Sequence, residues 1–189
     1  MTKTNRRSEQ QVYPEWADQR FSPRYRFQFV TVLRKILDPI SYGIANDTRD
    51  MPISTPDDST LREVLSLETV AVVGCSSTPG KAAHDVPKYL LEQGYDVRPV
   101  NPFAEEIFGR SAVDSLDELE GKEVDIVCIF RPSDEVSDIV EATLDRDDVS
   151  VIWTQLGIRD DEAATRAINA GLTVVQNRCI KIEHRRLCR

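Results

Sequence analysis

The residues best suited to chemistry lie in one string, Gly74-Cys75-Ser76-Ser77-Thr78-Pro79-Gly80-Lys81. Small and polar side chains leave backbone N–H groups uncovered, and Lys81 adds a positive charge. Where such a string opens a helix, the helix N-terminus adds partial positive charge of its own. The chemistry on offer is phosphate binding. Two familiar phosphate loops nearly fit. A P-loop sets four residues between its glycines and follows its Lys with Ser or Thr to hold magnesium. Here five residues separate Gly74 from Gly80, and Ala82 follows Lys81. The dinucleotide fingerprint needs a second Gly where Ser76 stands, and a carboxylate after the next strand to hold a ribose. That strand ends in Asn101-Pro102. The string therefore argues against ATP hydrolysis and ordinary NAD binding. A plain strand-to-helix turn is the simpler alternative.

Other candidates follow apolar runs in the same way. Arg131-Pro132-Ser133 comes directly after Phe130 and puts a guanidinium beside a helix start. Arg131 can form paired hydrogen bonds to a phosphate, or a salt bridge to a nearby acid. Asn101 can bond a base or ribose, or act as an ordinary turn residue. Thr154-Gln155-Leu156-Gly157 follows Trp153, which suits a core better than a stacking platform. His84 falls in the helix after the loop and His184 in a basic tail. No nucleophile and base stand at a recognisable spacing, so independent catalysis is disfavoured.

These residues need elements to position them. Val70–Val73 is apolar without alternation, as in a strand buried on both faces. Val86, Tyr89 and Leu90 continue at helical spacing to about Gln93, where Gly94 ends the helix. Further strands are expected at Tyr95–Val100, near Ala112-Val113, and at Val124–Phe130, Val149–Trp153 and Leu172–Val175. Helices are expected after Asp57, after Ser133 (through Val136, Ile139, Val140 and Leu144) and after Asp160 (with Ala163, Ala167 and Ile168). Ser115 is expected to cap a helical turn holding Leu116 and Leu119. Alternation in short units predicts an α/β fold: a doubly wound parallel sheet between two helical layers, with right-handed crossovers. The expected strand order is 3-2-1-4-5-6, with the ligand crevice at the carboxyl ends near strand one.

The chain of 189 residues allows one ordinary domain. Residues 1–50 hold nine basic and six acidic side chains; residues 51–189 hold 15 and 26. The first part reads as a poorly ordered N-terminal extension and the second as the functional domain. Within the extension, Phe27, Val30, Leu33 and Leu37 share helical spacing, which suits an amphipathic helix on a partner or anionic surface. A loosely attached tail is the preferred alternative, and Met51 is an alternative start of translation. The acidic domain repels nucleic acid. Six lysines against eighteen arginines, with many acids, suit a high-salt cytoplasm, where screening removes repulsion. Cys75, Cys128, Cys179 and Cys188 form no C-x-x-C motif, which fits reduced thiols in a cytoplasm. No apolar run approaches membrane-spanning length.

Five ordered blocks carry a family resemblance: G-C-S-S-T-P-G-K, G-Y-D-V-R-P-V-N-P, I-F-R-P-S, W-T-Q-L-G and N-R-C-I-K-I-E-H-R-R-L. Together they resemble the small single-domain CoA-binding proteins, a family similar to the CoA-binding N-terminal domain of the succinyl-CoA synthetase alpha subunit. The resemblance covers about Leu61 to Leu187. It implies a Rossmann-like fold and coenzyme A, or an acyl-CoA, as ligand. By position, Gly74, Ser76, Ser77 and Lys81 would cradle the phosphates. Asn101 and Pro102 would line the nucleotide end, and Phe130, Arg131 and Pro132 the far wall. Cys75 stands where the family often has Ala. A thiol there, near a helix N-terminus and Lys81, is expected to ionise more readily than a free one and could form a mixed disulfide with CoA; a small residue merely tolerated in a small-residue loop is the preferred alternative. The basic ending is expected to pack on the sheet edge through Ile180, Ile182 and Leu187, its cations reaching the 3′-phosphate or pairing with surface acids. The synthetase subunit also needs a second domain with a phosphorylated histidine, which residues 51–189 do not supply. The readings that remain are a CoA-binding module, a nicotinamide-sensing domain, and a subunit of an acyl-CoA ligase. Assembly as a homodimer or with a ligase partner chain is compatible with each.

Overall fold

The computed structural model describes residues 55–119, 121 and 123–188; the N-terminal extension and Met51 lie outside them. Helix α1 is Asp58–Leu65, and β1 is Thr69–Val73. Next come α2 (Ala82–Glu92), β2 (Asp96–Val100) and a small hairpin of β3 (Glu106–Ile107) and β4 (Arg110–Ser111). The chain continues through β5 (Ile126–Ile129), α3 (Val136–Leu144) and β6 (Val151–Thr154). It ends with α4 (Asp161–Asn169), β7 (Thr173–Val175) and α5 (Ile180–Leu187).

The sheet is five-stranded and parallel, in the order β2-β1-β5-β6-β7. Every residue of β1 is buried, as its unbroken apolar run requires. Val70 and Val72 pack on the side of α1, α2 and α5, beneath Leu61, Val64, Leu90 and Ile180. Ala71 and Val73 face the other way, against Val136 and Val140 of α3 and the alanines of α4. Burying a single Val or Leu side chain contributes about 1.5–3 kcal/mol, so two apolar faces account for the three-layer α/β/α arrangement.

Two helix starts follow the expected capping chemistry. The Asp57 carboxylate accepts from the Thr60 amide at 2.9 Å, and Asp160 accepts from the Ala163 amide at 2.9 Å. Ser133 does not cap: its hydroxyl accepts from the Arg159 amide, and a short 3-10 turn, Ser133–Glu135, precedes α3. The Ser115 segment is a 3-10 turn of three residues, Asp117–Leu119.

The expected third strand is reduced to one bridge, Val100 to Val113. Residues 106–111 fold back on themselves instead. Phe108 and Gly109 both take positive φ (60° and 71°), the pattern of a two-residue hairpin turn. Only Val113 is left to align with β2. The order 3-2-1-4-5-6 is thus realised as 2-1-4-5-6, with strand three vestigial. The chain winds from β1 outward to β2, then returns to place β5 on the other side of β1. That reversal is the topological switch point, where a crevice opens at the strands' carboxyl ends.

Pro87 lies inside α2. A helix-interior proline leaves the carbonyl four residues earlier without its donor. The orphan is the Ala83 carbonyl, and it accepts the Ser76 amide at 2.9 Å from the loop before the helix.

The C-terminal helix corrects one expectation. Ile180 and Leu187 are buried, but Ile182 is exposed, and α5 packs on α1 and α2 rather than on the sheet edge. Arg186 pairs with Asp58 and Glu183. Ile168 of α4 is likewise exposed.

Candidate functional site

Gly74 ends β1 and takes φ +83°, a left-handed conformation that favours glycine. Its amide donates to the Val100 carbonyl at 3.0 Å. A Cβ there would lie 2.9 Å from Cδ of Arg131. The loop after β1 and the segment after β5 therefore meet at the crevice, glycine backbone against arginine stem.

The loop is held at both ends. Asn101 Nδ2 donates to the Cys75 carbonyl at 2.7 Å. The Ser76 amide is tied to Ala83, and the Ser76 hydroxyl accepts from the Thr78 amide at 3.1 Å. The Gly80 amide donates to Asp85 Oδ1 at 3.1 Å. Between these ties Ser77 and Lys81 are exposed, and neither amide donates a hydrogen bond among the described residues. Lys81 is the N-cap of α2 but supplies no capping side-chain bond. The result is a small cradle of N–H groups at a helix N-terminus, open to solvent.

Two cations flank it. Lys81 makes no ion pair among the described residues. Arg131 donates from Nε and Nη2 to the two carboxylate oxygens of Glu135, at 2.7 Å each. That fork raises the Arg131 pKa and holds Glu135 below the usual carboxylate range. The salt-bridge reading of Arg131 is thus the arrangement present, and an anion must compete with Glu135 for it. Both side chains are over two-fifths exposed, so solvent screens the pair and it is weak.

The remaining expected residues fall as follows. Phe130 is half-buried, and its amide donates to the Val73 carbonyl at 2.9 Å. Pro132 is exposed and precedes the 3-10 turn. The two arms of the Asn101 side chain are engaged internally, since Oδ1 accepts from the Phe103 amide at 2.8 Å. Asn101 therefore joins the turn after β2 to the loop after β1. Pro102 lines an open depression of about 440 Å³ with Phe103, Ala104, Glu105, Ala112 and Asp114. It lies on the β2 side of the crevice rather than between β1 and β5.

Cys75 corrects an expectation. Its side chain is fully buried in the core, and that burial pushes its thiol up to about 12. The expected easily ionised thiol, and the mixed disulfide built on it, do not fit this geometry. The alternative of a small residue filling a small space does.

Sequence reasoning missed four residues here. Asp85 holds Gly80, and His84 Nδ1 lies 2.8 Å from Asp85 Oδ1 while its ring packs on Phe108. Pro87 frees Ala83 for Ser76. Glu135 holds Arg131, a spacing of four along a helical turn that was available in the sequence. Phe103, 90 % exposed, is marked only by following Asn101-Pro102. Trp153 is buried and donates to the Arg178 carbonyl, and His184 bonds the Tyr89 hydroxyl, its pKa lowered by burial. No cluster of three metal-ligating side chains occurs among the described residues, nor any helix long and apolar enough to cross a membrane.

A five-stranded parallel sheet between two helical layers, with its switch point at the loop after β1, defines a Rossmann-like α/β domain. A family model described as a CoA binding domain matches residues 68–185, and the chain belongs to that family. It is 36% identical over 133 residues to the uncharacterized protein YneT of Bacillus subtilis, across 70% of this chain and 97% of that one. A solved structure from Thermus thermophilus superposes with a TM-score of 0.66 at 43% identity, covering 70% of this chain and 99% of its own. An ADP-forming acetate–CoA ligase of Methanocaldococcus jannaschii is 30% identical over 84 residues, 44% of this chain but 12% of the ligase.

Proposed function

We propose that the domain binds coenzyme A or an acyl-CoA at the switch point between β1 and β5 and has no catalytic activity of its own. The observation that carries this reading is the cradle itself: unbonded amides at Ser77 and Lys81, at a helix start without a side-chain cap, in a loop whose Gly74 lies against the Arg131 stem. Its donors suit the pyrophosphate. Gly74 admits the close approach, Ser76, Ser77 and Lys81 surround the phosphates, and Cys75 anchors the loop from the core. Asn101 and Pro102 form the nucleotide side, and Phe130, Arg131 and Pro132 the opposite wall. The family match supports coenzyme A over other nucleotides. Against a nicotinamide dinucleotide stands the Asn101 side chain, already bonded to Cys75 and Phe103 where a ribose-binding carboxylate would be needed.

A second reading, a subunit acting with an acyl-CoA ligase partner chain, is favoured by the match to the acetate–CoA ligase. Both readings share the binding step. The test is calorimetric titration with CoA, dephospho-CoA and NADH. CoA is expected to bind most tightly; tighter binding of NADH would overturn the assignment. A pull-down with CoA-loaded protein separates the two readings, since only the second expects a nucleotide-hydrolysing partner chain.

A further inference from the structure

Pro87 has a consequence in the loop, at Ser76, eleven residues earlier. In an α-helix the Ala83 carbonyl would accept the amide of residue 87, and proline has none. The Ser76 amide takes that place at 2.9 Å. Loop and helix are thereby joined at the one carbonyl that the proline leaves without its helical donor. Its neighbour, the Gly80–Asp85 bond, ties the loop's far end to the same helix turn. Of the two bonds, only the Ser76 tie depends on residue 87.

We infer that Pro87 is a positioning residue for the anion cradle, fixing the loop against the first turn of α2 so that the Ser77 and Lys81 amides face the ligand. The inference rests on the CoA reading above and adds to it. Pro87 itself is buried in α2. It acts through Ala83 and Ser76. A residue with an amide at position 87 completes the helix ladder at Ala83 and competes with Ser76 for the same carbonyl. The loop then loses its register while the helix gains a bond.

This opposition supplies the test. Pro87→Ala is expected to leave the melting temperature unchanged or higher, because alanine favours a helix interior where proline does not. It is expected to weaken CoA binding at least fivefold in calorimetric titration. Amide exchange followed by NMR should show Ser76 protected in the unliganded wild-type protein, with Ser77 and Lys81 exchanging faster. In Pro87→Ala, exchange at Ser76 should accelerate at least tenfold. Unchanged Ser76 exchange in the variant would overturn the tie between loop and proline. Accelerated exchange with unchanged CoA affinity would overturn the positioning role. A wild-type chain that does not bind CoA removes the ligand reading, and the positioning role with it, while the exchange comparison still decides the tie. Should Pro87→Ala fold poorly, an unprotected Ser76 amide in the wild-type protein refutes the tie by itself.

Discussion

At Gly74, a single added methyl group would meet the Arg131 stem and would have to sit at a positive φ. Left-handed backbone costs a non-glycine residue roughly 1–2 kcal/mol. Gly74→Ala should therefore lower stability by about that amount in urea denaturation, and weaken CoA binding through displacement of Arg131. Arg131→Ala should weaken CoA binding by about 1–2 kcal/mol: a bond to a charged group contributes about 1.5–3 kcal/mol, less what Glu135 already holds. Glu135→Gln should tighten binding, since the guanidinium is then released. Weaker binding by that variant would mean that Glu135 aims Arg131 rather than masks it. Cys75 gives a pH signature. Below its ordinary value of 9.0 the thiol is neutral in both folded and unfolded chains, so its burial costs no ionisation. As pH rises from there toward about 12, the unfolded chain ionises and the folded one does not, so stability falls. Melting temperatures measured against pH should drop less steeply in Cys75→Ala than in the wild type. Cys128, fully buried and likewise pushed up to about 12, should keep part of the slope in that variant.

Elements hold these residues through contacts at both ends of the sheet. At the amino end the buried Asp125 carboxylate accepts the Thr69 amide at 2.8 Å and the Glu68 amide at 3.3 Å, fastening β1 to β5. Asp125→Ala leaves the buried Thr69 amide without its acceptor and should cost about 1–3 kcal/mol in urea denaturation, with CoA affinity of the folded fraction unchanged. Much of this layer was legible in the sequence. Unbroken runs such as Val70–Val73 announce strands buried on two faces, and Asp57 and Asp160 announce helix starts. The third strand was legible in place, since Val113 does align with β2, but not in extent: the left-handed turn at Phe108-Gly109 commits the preceding residues to a hairpin of their own. Ser133 looked like a cap because its type suits one; a tertiary bond from Arg159 claimed its hydroxyl instead.

For the whole molecule, the loop at the switch point was readable from residue types and order. Its ties were not. The Asn101–Cys75 and Ser76–Ala83 bonds depend on the folded chain bringing segments together, and Cys75 is inert because of its burial, which no local pattern states. The charge is a property of the same scale. Residues 51–189 carry 26 acids against 15 bases, and screening should relieve their repulsion. The melting temperature is expected to rise between low salt and molar KCl; a flat response would remove the high-salt reading.

The site itself is tested most directly by adding coenzyme A to isotope-labelled protein and following each backbone amide by NMR. The largest shifts are expected at Ser77, Lys81 and Ala82, with the Arg131 Nε–H resonance moving alongside as it leaves Glu135. Saturating coenzyme A with those amides unmoved, or shifts confined to another face of the sheet, would contradict the assignment of the β1–α2 loop as the place where the diphosphate is held.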